Sequence, residues 1–218
     1  MTEGDAASRT AERVARHSYG RLVAFLAART HDVAGAEDAL SEAFASALRT
    51  WPEHGIPDNP DAWLLTVARR RQTDAARRRY TERAGEDHVK LMAEGIAAAM
   101  AHAADIPDRR LALMFVCAHP DIPRSMRAPL MLQSILGMTA EEIAAAFLVP
   151  PGTMGQRLVR AKARIRDAGI PFRVPEHEEL AARLEAVLDA IYAAYTKGWS
   201  EIGDLFESVH ATVWTVNP

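Results

Sequence analysis

The chain has 218 residues, of which 49% are hydrophobic and 25% are charged, and its formal net charge is −3. These proportions are those of a globular protein with one ordinary or two small domains, and they exclude a disordered or collagen-like chain. The longest apolar run, residues 111–118, is too short to cross a bilayer, and the first residues carry no signal-peptide pattern. A single cysteine, Cys117, excludes an internal disulfide. We therefore expect a cytoplasmic protein without membrane contact.

The net charge conceals an asymmetry along the chain. Residues 176–218 contain eight acidic and two basic side chains, which leaves a net charge of +3 on residues 1–175. Many of the bases fall in two segments, 69–83 and 157–166. Because affinity for DNA rests largely on neutralising phosphates, the two basic segments make nucleic acid a candidate partner despite the negative total.

The residue pattern predicts an all-α protein. Helix-forming residues dominate, and no strand-like alternation persists beyond a few residues. Helices are expected over about 11–29 and 36–51, and a third begins at Asp61 after a proline-rich loop. Residues 178–199 have the apolar face of a further helix, and such a face must pack on something.

The most specific local pattern is a helix-turn-helix at 139–166. Thr139 and Glu142 have the spacing of a capping box. Residues 148–152 include two prolines and cannot continue a helix, so the second helix is expected to begin near Thr153. Its core-facing side is formed by residues at steps of four, three and four: Met154, Leu158, Ala161 and Ile165. Bases on the outer side suit a recognition helix that enters the major groove; the alternative is a solvated basic helix of a bundle.

Two other charged patterns are less specific. The arginines of 69–79 are as well explained by a solvated helix end as by a binding surface. Trp63, Gln72 and Tyr80 nearby favour binding, since arginines and aromatic rings together hold single-stranded bases. Asp38 and Glu42, four residues apart, fit either a solvated helix face or a docking site for a basic partner.

Enzyme signatures are absent from the sequence. It has no glycine-rich phosphate loop, no His-Glu-x-x-His and no Gly-x-Ser-x-Gly pattern. Cys117 and His119 supply two metal ligands where structural zinc takes four, so Cys117 is predicted to be a core residue. We expect no catalytic residues, no metal and no cofactor.

Several segments together resemble bacterial extracytoplasmic-function sigma factors. Residues 35–44, GAEDALSEAF, and 59–64, NPDAWL, which run into the arginines, resemble region two of that family. Residues 138–144, MTAEEIA, and 149–154, VPPGTM, resemble region four. Residues 115–120 and 156–162 are similar to a subgroup with an additional C-terminal helical domain, which is short here.

The resemblance implies a protein that binds core RNA polymerase and directs it to promoter DNA, which it recognises and melts. It places region two at 11–84, a linker at 85–107, region four at 108–170 and an acidic helical extension at 171–218. The residues implied in polymerase binding are Glu37, Asp38, Ser41 and Glu42. Those implied at the minus-ten element are Asn59, Trp63, Arg69, Arg70, Arg71, Gln72, Arg77, Arg78 and Arg79. Those implied at the minus-thirty-five element are Thr153, Gly155, Gln156, Arg157, Arg160, Lys162 and Arg164.

Two other functions remain open at the level of sequence. One is a stand-alone helix-turn-helix regulator that binds duplex DNA as a dimer without polymerase. The other is a helical interaction protein whose acidic tail blocks its own basic surfaces. A sigma factor also leaves open an anti-sigma factor, or autoinhibition by the C-terminal extension.

Overall fold

The computed structural model describes residues 3–81 and 106–195, and every regular element in these ranges is an α-helix. The helices of the described ranges are α1 (Glu3–Thr30), α2 (Val33–His54), α3 (Pro60–Thr81), α4 (Arg110–Cys117), α5 (Arg124–Leu136), α6 (Ala140–Ala146), α7 (Pro151–Asp167) and α8 (His177–Tyr195). The predicted all-α fold is confirmed. No helix within the described residues is both long enough and apolar enough to span a bilayer.

Several helix ends differ from the predicted ones. The turn between α1 and α2 is limited to His31 and Asp32, and His31 takes a left-handed conformation with φ of 54°. The helix expected near Thr153 begins two residues earlier, at Pro151. Proline fits the first turn of a helix because its missing N–H has no partner there and its φ is already helical. The paired prolines therefore mark the start of α7 as well as the end of the turn.

The chain forms two compact units. Of the described residues, unit 1 contains residues 3–18, 35–81 and 106–107, and unit 2 contains Tyr19–Ala34 and residues 108–195. Helix α1 is thus divided between the units. The prediction placed residues 19–34 in the segment 11–84, whereas in the structure they belong to unit 2. The boundary predicted at 84 and most of the predicted linker 85–107 lie outside the described residues.

Unit 1 is organised around small and aromatic side chains. The buried side of α2 is formed by Leu40, Ala43, Ala47 and Trp51, which recur at steps of three and four, whereas Phe44 is only half-buried. Trp51 meets the ring of Trp63 on α3 edge to face, with 5.5 Å between ring centroids. The Ser18 hydroxyl of α1 donates a 3.1 Å hydrogen bond to Asp61 at the start of α3. These contacts fix α3 against the other two helices.

Unit 2 is a bundle in which α5 is the central helix, because α4, α6, α7 and α8 all pack against it. The second half of α1 also joins this unit. A Cβ atom at Gly20 would overlap the carbonyl group of Ile135 on α5, so only glycine allows this close approach. The rings of His31 and Phe172 stack with 5.6 Å between their centroids. Cys117 is fully buried, as predicted.

Helix α8 is part of the core of unit 2. It packs against α4 and α5 and buries Val187, Ala190 and Ile191. Its acidic residues Glu179 and Glu185 form ion pairs with Arg183 and Arg124, and Glu176, just before the helix, pairs with Arg173. These arginines lie outside the basic faces of α3 and α7. The apolar face predicted for this segment therefore has a structural explanation.

The imidazole of His119 is expected to make the stability of unit 2 depend on pH. Burial, together with the charge of Arg183, lowers the pKa of His119 below its ordinary value of 6.5, although Asp121 opposes the shift. The Asp121 amide donates to Nδ1 of the ring, which is consistent with a neutral imidazole. Because the folded pKa is lower than the unfolded one, the unfolded chain binds more protons at mildly acidic pH. Stability is therefore lost as the pH falls below about 6.5.

His119→Asn keeps an acceptor for the Asp121 amide and removes the titration. Urea unfolding at pH 7.5 and at pH 5.5 (about one unit on either side of the ordinary histidine pKa) should show a smaller loss of stability in this variant than in the wild type. Contributions from all other groups are common to both proteins and cancel in the comparison. Equal losses in the two proteins would show that His119 does not contribute to the pH dependence.

Candidate nucleic-acid and polymerase interface

Helix α7 presents one basic face to solvent. Met154, Leu158, Ala161 and Ile165 are buried, so their side of the helix faces the core, as predicted. The exposed side carries long polar and basic side chains: Gln156, Arg157, Arg160 and Arg164. Thr153 and Gly155 are half-buried at the N-terminal end of this face, and a Cβ at Gly155 would meet no atom within 4 Å. The N-terminal part of α7 is thus open to close approach.

Lys162 does not belong to this face. Only 7% of the residue is accessible, because it follows Leu158 by one helical turn and lies on the core-facing side. Its predicted contact with the minus-thirty-five element is therefore not supported by its position. The lysine remains part of the packing of unit 2.

Helix α6, which precedes the turn before α7, is capped at its start by local hydrogen bonds. The Glu142 amide donates to the Thr139 hydroxyl at 3.2 Å, and the Thr139 amide donates to the Glu142 carboxylate at 2.8 Å. The predicted capping box is thus confirmed at the start of α6. After α6, Leu148 takes φ of 54° and is 94% exposed. Phe147, four residues after the buried Ile143, is also exposed.

Helix α3 carries a second basic face. Arg70 and Arg77 are seven residues apart, as are Arg71 and Arg78, and this spacing places each pair on one side of a helix. All four side chains are exposed. Asp74 lies among them, 3.9 Å from Arg77, and its carbonyl oxygen accepts a hydrogen bond from Arg78. The face is therefore basic but contains one carboxylate.

Other residues predicted at the minus-ten element have structural roles in unit 1. The Asn59 side chain accepts a 3.0 Å hydrogen bond from the Ala62 amide and so caps α3. Trp63 packs edge to face with Trp51, and Arg69 is only 8% exposed. Gln72 is half-buried. Arg79 lies within α3, but its side chain is outside the described residues.

The acidic residues of α2 form an exposed edge of unit 1. Asp38, Ser41 and Glu42 are exposed, and Glu37 is half-buried. Glu42 forms an ion pair with Arg71 on α3, with 3.2 Å between Nε of the arginine and the carboxylate oxygen. Both side chains keep about half of their surface in water (44% for Arg71 and 59% for Glu42), so the pair adds little to stability. The acidic edge and the basic face of α3 are thus neighbours.

Sequence reasoning missed two residues of these faces. Asp74 was overlooked because the arginines around it dominate the local charge, although it stands four residues from both Arg70 and Arg78. Val159 was overlooked because a valine in a helix is ordinarily a core residue, yet 68% of it is exposed on α7. The residues predicted to be buried recur at steps of three and four and include Leu158 and Ala161. Val159 falls outside this series, and that position could have predicted its exposure.

A groove in unit 2 lies away from the basic face of α7. The groove, of about 390 Å³, lies between α5 and α8, but it is lined by Arg124, Arg127, Glu185 and Asp189 rather than by the predicted site residues. Within residues 3–81 and 106–195, no group of three His, Cys, Asp or Glu side chains is placed to hold a metal ion. The basic side chains of the two faces are exposed on helix surfaces, which suit a macromolecule better than a small ligand.

Comparison with known families gives two matches. A family model described as Sigma-70 region 2 matches residues 14–82, and one described as Sigma-70, region 4 matches residues 113–165. Together they cover more than half of the chain. The chain belongs to the sigma-70 family. Its region four has the form typical of extracytoplasmic-function sigma factors, and this family consists of transcription initiation factors rather than enzymes.

Two curated relatives of this sigma-70 protein are longer than the chain. An uncharacterized protein of Rhizobium meliloti (strain 1021) is 39% identical over 169 residues, which are 76% of this chain and 40% of that protein. The ECF RNA polymerase sigma factor SigE of Mycolicibacterium smegmatis is 29% identical over 150 residues, 67% of this chain and 55% of that protein. The chain thus spans about half, or less, of the length of these relatives. No solved structure matches the sigma-70 chain.

Proposed function

We propose that this sigma-70 chain binds core RNA polymerase through the acidic edge of α2 and directs it to promoters through the basic faces of α3 and α7. The observation that carries the proposal is the presence of two exposed arginine faces in two separate compact units. A promoter offers two separate targets, one melted and one duplex. Two separate basic faces, one for each target, suit a promoter better than a single continuous basic patch would.

The two faces differ in chemistry, and the difference supports their assignment. The face of α3 consists almost entirely of arginines beside a tryptophan pair, which suits the backbone and unstacked bases of a melted minus-ten element. The face of α7 combines Gln156 with arginines next to an open N-terminal end, which suits base edges in the major groove of a duplex minus-thirty-five element. The contacting residues proposed for α7 are Thr153, Gly155, Gln156, Arg157, Arg160 and Arg164.

The acidic edge of α2 is proposed as the polymerase-binding surface because it is exposed and its charge is opposite to that of the arginine face beside it. Glu37, Asp38, Ser41 and Glu42 lie within two turns of one helix. A basic surface of the polymerase would replace Arg71 as the partner of Glu42. Arg71 would then become available to a DNA phosphate.

The test is reconstitution with core RNA polymerase. The purified chain should co-elute with core enzyme and support run-off transcription from a cognate promoter chosen from genomic fragments. If it does neither, the proposed function is wrong. Palindromic footprints made by the chain alone would instead support the stand-alone regulator.

Asp38→Asn and Glu42→Gln should each weaken binding to core enzyme by about 1.5–3 kcal/mol, the range for a hydrogen bond to a charged group. Glu53→Gln is the matched control, because Glu53 is an exposed acid of the same helix outside the acidic edge. Fluorescence titration of labelled chain with core enzyme measures all three affinities. If Glu53→Gln and Asp38→Asn lose equal affinity for core enzyme, the effect comes from the overall charge of the chain and not from the acidic edge.

A further inference from the structure

Val159 is an apolar side chain in the middle of a polar helix face. It is 68% exposed, and on α7 it lies three residues after Gln156 and next to Arg160. The buried residues of α7 include Leu158 but not Val159, which lies on the outer side of the helix. Valine is a weaker helix former than arginine, glutamine or lysine, and its methyl groups gain nothing from water. Folding of unit 2 therefore does not account for a valine here.

Two glycines leave space beside Val159. Gly155 precedes it by four residues and Gly152 by seven, which places both glycines along the same side of the helix. A Cβ atom built at either position would have no neighbour within 4 Å. The side chain of Val159 thus borders an open strip at the N-terminal half of α7, where a recognition helix approaches base edges most closely.

We infer that Val159 is a specificity residue that contacts the 5-methyl group of a thymine in the duplex read by α7. This inference rests on the function proposed above. In the major groove each base pair presents its own donors and acceptors, but only thymine presents a methyl group, and apolar side chains recognise it. The arginines on the same face attract the duplex, and Val159 distinguishes one base in it.

The experiment uses holoenzyme made from core RNA polymerase and the full chain. Holoenzyme first selects sites from a randomised duplex library, and each thymine of the selected minus-thirty-five element is then replaced singly by uracil, which lacks the methyl group. One replacement should lower the affinity of wild-type holoenzyme about fourfold, the value of burying one methyl group. Holoenzyme with Val159→Ala should bind the thymine and uracil duplexes equally.

Leu188→Ala is the control, since Leu188 is an exposed apolar residue on α8. It should retain the full preference for thymine. The inference is overturned if no uracil replacement affects the wild type, or if Val159→Ala keeps the same preference. If the holoenzyme assembles and selects sites but fails these comparisons, only the role inferred for Val159 is wrong. If the chain forms no holoenzyme, the proposed function itself is wrong.

Discussion

Replacing Val187 with aspartate is expected to unfold unit 2. Val187 is fully buried where α8 packs against α4 and α5, so the variant would place an unpaired carboxylate in an apolar core. An uncompensated buried charge costs about 3–5 kcal/mol, which is a large part of the stability of a small domain. Urea unfolding followed by circular dichroism measures the loss.

Tyr192→Asp provides the matched comparison on the same helix. Tyr192 is 71% exposed, so an aspartate there remains in water and should cost much less. If both variants are equally stable, α8 is not part of the folded unit. A strong difference would mean that removal of the C-terminal segment damages the fold, and that a change in DNA binding after such a deletion is not by itself evidence of autoinhibition.

The second large effect is expected from the double variant Arg157→Ala and Arg160→Ala. A base-reading arginine contributes about 1–3 kcal/mol, so the pair should lower promoter affinity of the holoenzyme by about 2–6 kcal/mol where the effects add. Both side chains are exposed, and unit 2 should remain folded. Binding to promoter duplex is measured at one fixed salt concentration, because the affinity itself depends on salt.

The double variant Arg124→Ala and Arg173→Ala is the control for charge. Both residues are exposed arginines of unit 2 that lie outside α7, and each is in an ion pair in the folded protein. It should bind the promoter much more tightly than the Arg157/Arg160 variant. A loss that is the same on cognate and unrelated duplexes would make Arg157 and Arg160 phosphate contacts rather than base contacts. No loss at all would remove α7 from the DNA interface.

The parts of the structure that follow local rules were predictable from the sequence. The capping box of Thr139 and Glu142 and the buried spacing of Leu158 and Ile165 depend on residues a few positions apart. The same spacing rule explains the burial of two of the predicted DNA contacts. Arg69 follows the buried Leu65 by one helical turn, and Lys162 follows the buried Leu158 in the same way. The interpretation of both residues as DNA contacts rested on their charge, although the helical spacing places them on the buried side.

Contacts between distant residues were beyond prediction. The ion pair of Glu42 and Arg71 depends on how α2 and α3 pack, and neither residue indicates its partner in the sequence. The packing of Gly20 against Ile135 depends in the same way on two helices far apart in the chain. Residue patterns predict faces of helices well, but a single sequence does not specify which faces meet.

The burial of the lone cysteine has a practical consequence for the dynamics of unit 2. Cys117 is completely enclosed at the end of α4, and a buried thiol is inert to reagents in solution. Modification of this thiol under native conditions therefore requires the surrounding helices to open. Because the chain contains no second cysteine, the rate of thiol labelling reports the opening of unit 2 directly, without any substitution.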